Sequence, residues 1–140
     1  MSDKNVIIKG ARSFMKTKLS DYLALTGEQR ADLKSGPCVK ISNSVYSGNS
    51  TEKRFLDIVE AEKVINCVKH AIENCSNMNR HILTLCYLDE IMDKNVAIRL
   101  GYSISRYKDL KRQALYEFAL RYRYQAAKAG LKTKVGMADE

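Results

Sequence analysis

The sequence predicts an all-α protein: an N-terminal helical segment, a Ser/Gly-rich linker, then a compact helical domain. Three observations predict this class. Apolar residues recur at spacings of three and four over long stretches, as the buried face of a helix requires. The two-residue alternation that marks a strand is weak throughout. A single proline interrupts the 140 residues, and it falls in a stretch with no helical period.

Residues 1–33 read as helical after a loose start. In SFMKTKLSDYLAL, Phe14, Leu19, Tyr22 and Leu23 share a face. Lys9, Arg12, Lys16 and Lys18 fall on the polar side. Thr26 and Gly27 interrupt the helix, and GEQRADL adds a turn. Residues 34–50 are rich in Ser, Gly and Asn and read as a linker. That length suggests two separable pieces, or a functional excursion from one.

A long helix follows. Asn49 and Glu52 form a capping-box pattern at its start. Phe55, Ile58, Ala61, Ile65, Val68, Ile72 and Cys75 make one stripe. Glu60, Glu62, Lys63, Lys69 and Glu73 are left for solvent, and His70 lies off the stripe. The break at Cys75 to Asn77 ends this helix, and Asn77 is placed to cap the next. Ile82, Leu83, Leu85, Cys86 and Leu88 make that next helix apolar on more than one side, as in a central helix, with His81 partly exposed. Asp89, Glu90 and Asp93 then shape a turn and a cap for the short helix KNVAIRL, which Gly101 ends. A last helix starts at Ser103 or Ser105 and runs to about Ala129, with a frayed tail over 130–140. The domain thus spans 51–129.

Composition narrows the function. Hydrophobic residues make up 45% of the chain, enough for a core. No stretch approaches the ~20 apolar residues of a membrane span, and Val6 to Ile8 is too short for a signal-peptide core. A cytoplasmic location with no membrane partner is therefore expected. Cys38, Cys67, Cys75 and Cys86 form no Cys-x-x-Cys pair. They read as small core fillers in a reducing compartment, and neither metal nor cofactor is expected. No Gly-rich phosphate loop or carboxylate triad points to an enzyme.

Charge is unevenly placed. The chain carries +8 overall. Between Arg99 and Lys134 ten basic residues face only Asp109 and Glu117, so this stretch holds the whole excess. A neutral body with a basic C-terminal quarter is the footprint of a polyanion binder.

The last two helices, over 93–121, fit a helix-turn-helix. Steeply crossing helices need a small residue where they meet, here Ala97, and a residue tolerant of left-handed backbone at the turn, here Gly101. Val96, Leu100, Tyr102, Tyr107, Leu110, Ala114, Leu115 and Phe118 supply the apolar seam. What remains outward on the second helix is Ile104, Ser105, Arg106, Lys108, Asp109, Lys111 and Arg112. A recognition helix presents its N-terminal residues to base edges in the major groove of double-stranded DNA. Arg106 suits guanine N7 and O6 in bidentate fashion. Lys108, Lys111 and Arg112 suit phosphates. Ser103 and Ser105 suit capping or a phosphate, and Ile104 a thymine methyl or the preceding turn.

The run from Ser103 to Leu115 resembles region 4 of bacterial sigma factors, where a Ser/Thr-capped recognition helix ends in an Ala-Leu pair, here Ala114 and Leu115. More of the chain is similar to the ArpU/RinA-like family of phage late-gene transcriptional regulators. The matching pieces are KLSDYLAL, DLKS, GNSTE, AEKVINCVKHAI, HILTLCYLD and LGYSISRYKDLKRQALYEFA, in that order over most of 14–122. The linker and the extension after Phe118 are unmatched. The resemblance implies an activator of late genes for packaging, morphogenesis and lysis. It would bind a promoter region upstream of terminase genes and act with host RNA polymerase. Arg106, Lys108, Asp109 and Arg112 carry over as base or phosphate contacts.

An alternative is a small-terminase-like packaging protein. The stripe from Phe55 to Cys75 would then serve a homo-oligomer. Tyr116, Tyr122 and Tyr124, interleaved with Arg121 and Arg123, suit either single-strand stacking or packing.

Overall fold

The computed structural model describes residues 2–34 and 49–131, with the side chains of 3–34 and 57–131. Nearly all of the tail and of the linker, and the side chains of the Asn49/Glu52 cap, lie outside what is described. The described residues are helical, with no strand among them.

Helix α1 spans Ser2–Ser13 and α2 spans Leu19–Thr26. The helix starts at Ser2, so there is no loose start. A π turn, Phe14–Lys18, joins the two without a break. This wider turn resolves an oddity of the sequence. Phe14 and Leu19 are five apart, a spacing that an α-helix would rotate off one face but that an i→i+5 ladder stacks. Both are buried, as are Met15 and Leu23. Gly27, at φ 76°, ends α2, and a 3₁₀ turn at Arg30–Leu33 follows.

Helix α3 spans Asn49–Glu73. It packs against α2 and against the last helix, α6 (Ile104–Lys128), so its buried surface is wider than one stripe. Ala61, Ile65, Val68, Ile72 and Cys75 are buried, and so are Val64, Cys67 and Ala71. Two expected solvent residues are drawn in as well: Glu62 is 7% exposed and Lys69 1%. The Lys69 stem is long enough to lie along apolar surface while its ammonium meets Glu73 at 3.4 Å.

Helix α4 spans Asn77–Leu83 and runs into a second π turn, Thr84–Leu88. Leu83 and Leu88 are again five apart and both buried. Asn77 does not cap α4. It is the first helical residue, and its side chain accepts from Arg80 at 2.7 Å. The N-cap residue is Ser76, and an acceptor at this end comes from α6. Glu117 Oε1 accepts from the Ser76 N–H at 3.1 Å and from Asn79 Nδ2 at 2.7 Å. A carboxylate there complements the positive end of the helix. Burial would raise the Glu117 pKa, but the Asn79, Ser76 and Arg121 contacts outweigh it and hold it low.

Helix α5 spans Asp93–Leu100 and α6 spans Ile104–Lys128. Helices α1, α3, α4 and α5 all pack on α6. Ile8, Phe14 and Met15 of the N-terminal segment belong to the same buried cluster as Ile65, Leu83 and Phe118. Phe14 sits 5.5 Å from Tyr122 and 6.5 Å from Phe118, ring centre to ring centre. One core therefore unites residues that the sequence divides between an N-terminal segment and a domain.

Candidate nucleic-acid interface

The turn between α5 and α6 is built by backbone geometry. Gly101 has φ 79°. Its N–H donates to Ile98 O at 3.1 Å, and the Tyr102 N–H donates to Ala97 O at 3.0 Å. This pair of bonds is a Schellman motif, which satisfies the last carbonyls of α5. A Cβ at Gly101 would meet nothing within 4 Å, so the glycine is needed for its dihedral angle and not for space. Ser103, with extended backbone, then caps α6: its Oγ accepts from the Arg106 N–H at 3.2 Å. Of the two serines proposed as the start, Ser103 is the cap.

The expected seam is in place. Val96, Ala97, Tyr107, Leu110, Ala114, Leu115 and Phe118 are buried, and Leu100 and Tyr102 are half-buried against them. The outward set is likewise separated: Ile104, Ser105, Arg106, Lys108, Asp109 and Arg112 are exposed. The Arg112 guanidinium donates to Asn5 Oδ1, so α1 lies beside the first turns of α6.

Lys111 departs from that set. Its ammonium donates to Asp93 Oδ1 at 2.8 Å and lies 5.2 Å from the Tyr87 ring centre. It is therefore turned inward, away from the exposed face. Asp93 in turn is no cap. The N-cap of α5 is Met92, and the Asp93 carboxylate instead receives both Lys111 and the Tyr107 hydroxyl, the latter at 2.7 Å. Cys86 Sγ lies 2.7 Å from the same hydroxyl oxygen. Burial opposes ionisation of Asp93, yet the hydrogen bonds from Lys111 and Tyr107 win and its pKa is lowered. Burial likewise opposes the Lys111 charge, and the bond to Asp93 overcomes it, so that pKa is raised. Burial also pushes the Tyr107 pKa up.

Beside this network lies a groove of about 830 Å³ between α1, the π turn after it, the loop before α5, and α6. Arg12, Lys16, Lys94, Lys108 and Arg112 line it. Its acids, Glu90 and Asp93, each meet a cation: Glu90 pairs with Arg30 at 3.5 Å, and Asp93 with Lys111. Arg30 is itself pinned, donating to Tyr87 O and Ser20 Oγ, each at 2.8 Å. Glu90 holds a left-handed φ of 56°, the one non-glycine residue to do so among those described. Arg12 and Lys16 were visible in the sequence as a polar face without a role. Their position beside α6 depends on a contact between helices far apart in sequence.

The other candidates separate clearly. Burial raises the thiol pKa of Cys67 to about 11 and that of Cys75 to about 12, as befits core fillers. Among the described residues no group of three His, Cys, Asp or Glu is placed to hold a metal, and no helix is long and apolar enough to cross a membrane. Of the interleaved tyrosines, Tyr122 is 1% exposed and belongs to the core, whereas Tyr124 is 62% exposed. No protein-family model, curated protein or solved structure matches the chain.

Proposed function

We propose that α5, its turn and α6 act as a helix-turn-helix that reads double-stranded DNA, in a sequence-specific regulator of transcription. One observation carries the reading. The first turns of α6 present Ser105, Arg106, Lys108, Asp109 and Arg112 to solvent, while Tyr107, Leu110, Ala114 and Leu115 anchor the opposite face. A helix held from behind, with a basic N-terminal half outward, meets the requirements for major-groove docking. Arg106 is assigned to a base edge, and Lys108 and Arg112 to phosphates. Lys111 supports α6 from within through Asp93 and is removed from the phosphate set.

The resemblance to ArpU/RinA-like regulators supports the biological role: activation of phage or prophage late genes at a promoter, with host RNA polymerase. The packaging alternative draws less support. Of its oligomerising stripe, from Phe55 to Cys75, Ala61, Ile65, Val68, Ile72 and Cys75 are covered by the chain's own helices. Footprinting on DNA upstream of the terminase genes, with and without polymerase, tests the role. A protected site that polymerase extends is the expected result. A protein that protects no site, or that assembles into rings of many subunits, overturns it.

A further inference from the structure

We infer that the N-terminal helix is part of the DNA-binding surface, with Arg12 and Lys16 holding the phosphate backbone beside the groove that α6 enters. The inference rests on the reading of α6 given above and extends it to a segment more than 80 residues away in sequence.

Position is the first support. Arg12 and Lys16 line the same groove as Lys94, Lys108 and Arg112, so cations from α1, α5 and α6 face one space. Charge balance is the second. Both acids of that groove are matched by inward cations, Glu90 by Arg30 and Asp93 by Lys111. Arg12, Lys16, Lys94 and Lys108 form no ion pair among the described residues, so the groove keeps an uncompensated positive charge. Rigidity is the third. Arg112 holds Asn5, the Lys4 ammonium lies 4.9 Å from the Tyr116 ring centre, and Phe14 is locked against Tyr122. A helix fixed in place beside a recognition helix holds its cations next to a phosphate backbone without first having to order its own backbone. Phosphate contacts of this kind set register and orientation, and they appear as salt dependence.

The test uses the full chain and a labelled duplex carrying the footprinted site, titrated between about 50 and 200 mM salt. The Arg12→Gln/Lys16→Gln variant is expected to flatten the slope of log K against log salt by about 2 and to bind more weakly, with its preference among sequences unchanged. Lys63→Gln, a cation on α3 outside the groove, is expected to leave the slope alone. Arg12→Lys/Lys16→Arg is expected to restore it. If the glutamine variant matches the parent while Lys108→Gln weakens binding, α1 is excluded and the α6 reading stands. If the charge-conserving variant fails to restore the slope, the effect is structural and the inference falls. If the parent protein binds no duplex, the reading of α6 falls and takes this inference with it.

Discussion

Lys111 Nζ and Asp93 Oδ1 are joined at 2.8 Å between α6 and the first residue of α5. With Tyr107 on the same carboxylate, the pair ties together the two helices whose relative placement DNA docking requires. Asp93→Asn is expected to cost about 1–2 kcal/mol at neutral pH, because it leaves Lys111 half-buried without its counter-charge. The value sits low in the range for charged bonds since the carboxylate is 44% exposed and partly screened by water. Its folded pKa lies below the usual 3.8. The stabilisation is therefore complete above that value and is lost as pH falls through the folded pKa. Urea unfolding of parent and variant should differ at pH 7 and converge in strong acid. A gap that persists there would show that packing, not charge, is responsible.

Gly101→Ala isolates a dihedral angle. Nothing lies near a Cβ at this position, so the cost is that of left-handed backbone alone, about 1–2 kcal/mol. Gly101→Asn should recover part of it, since asparagine tolerates this conformation better. Thermal unfolding of the two variants checks the order. Equal losses would mean that the turn is constrained by something other than φ.

Phe14→Ala tests whether the N-terminal segment folds separately. Phe14 is 1% exposed, between Tyr122 and Phe118, and its truncation should cost about 3–5 kcal/mol. Unfolding should remain a single transition shifted as a whole. Two resolved transitions, with only one of them moved, would instead make residues 2–34 an independent unit.

Arg106→Ala should weaken specific binding by about 1–3 kcal/mol and relax selectivity at one base position. Binding to a panel of operators with single-base changes would measure this. A uniform loss at every base would reassign Arg106 to a phosphate.

The all-α class was legible because the stripe along α3 and the seam of α5 and α6 are local periodic patterns. The Gly101 turn and the Ser103 cap were legible for the same reason, since each depends on a few neighbouring residues. The polar assignments were less so. Asp93 and Asn77 both stand where a cap is expected, yet the caps are Met92 and Ser76, and α4 takes its acceptor from Glu117 on another helix. Lys69 and Glu62 show the same limit: a charged residue off the stripe is hidden once α3 acquires neighbours on two sides. The π turns left a trace, in the five-residue steps from Phe14 to Leu19 and from Leu83 to Leu88, but only the fold explains those steps. The groove left none, because no local pattern sets Arg12 beside Lys108.

The convergence of four helices on α6 also has a consequence in time. Ile8, Phe14 and Met15 leave the ribosome long before Phe118 and Tyr122. Until then the N-terminal helix has no surface to close on, and its apolar face stays open to chaperones and proteases. Contacts this distant along the chain slow folding. Chains stopped before Phe118 are expected to be cleaved readily in limited proteolysis, whereas chains extending to Lys128 resist it. The chain from Ile8 to Tyr122 must therefore be made before this core closes, including the basic face at the start of α6.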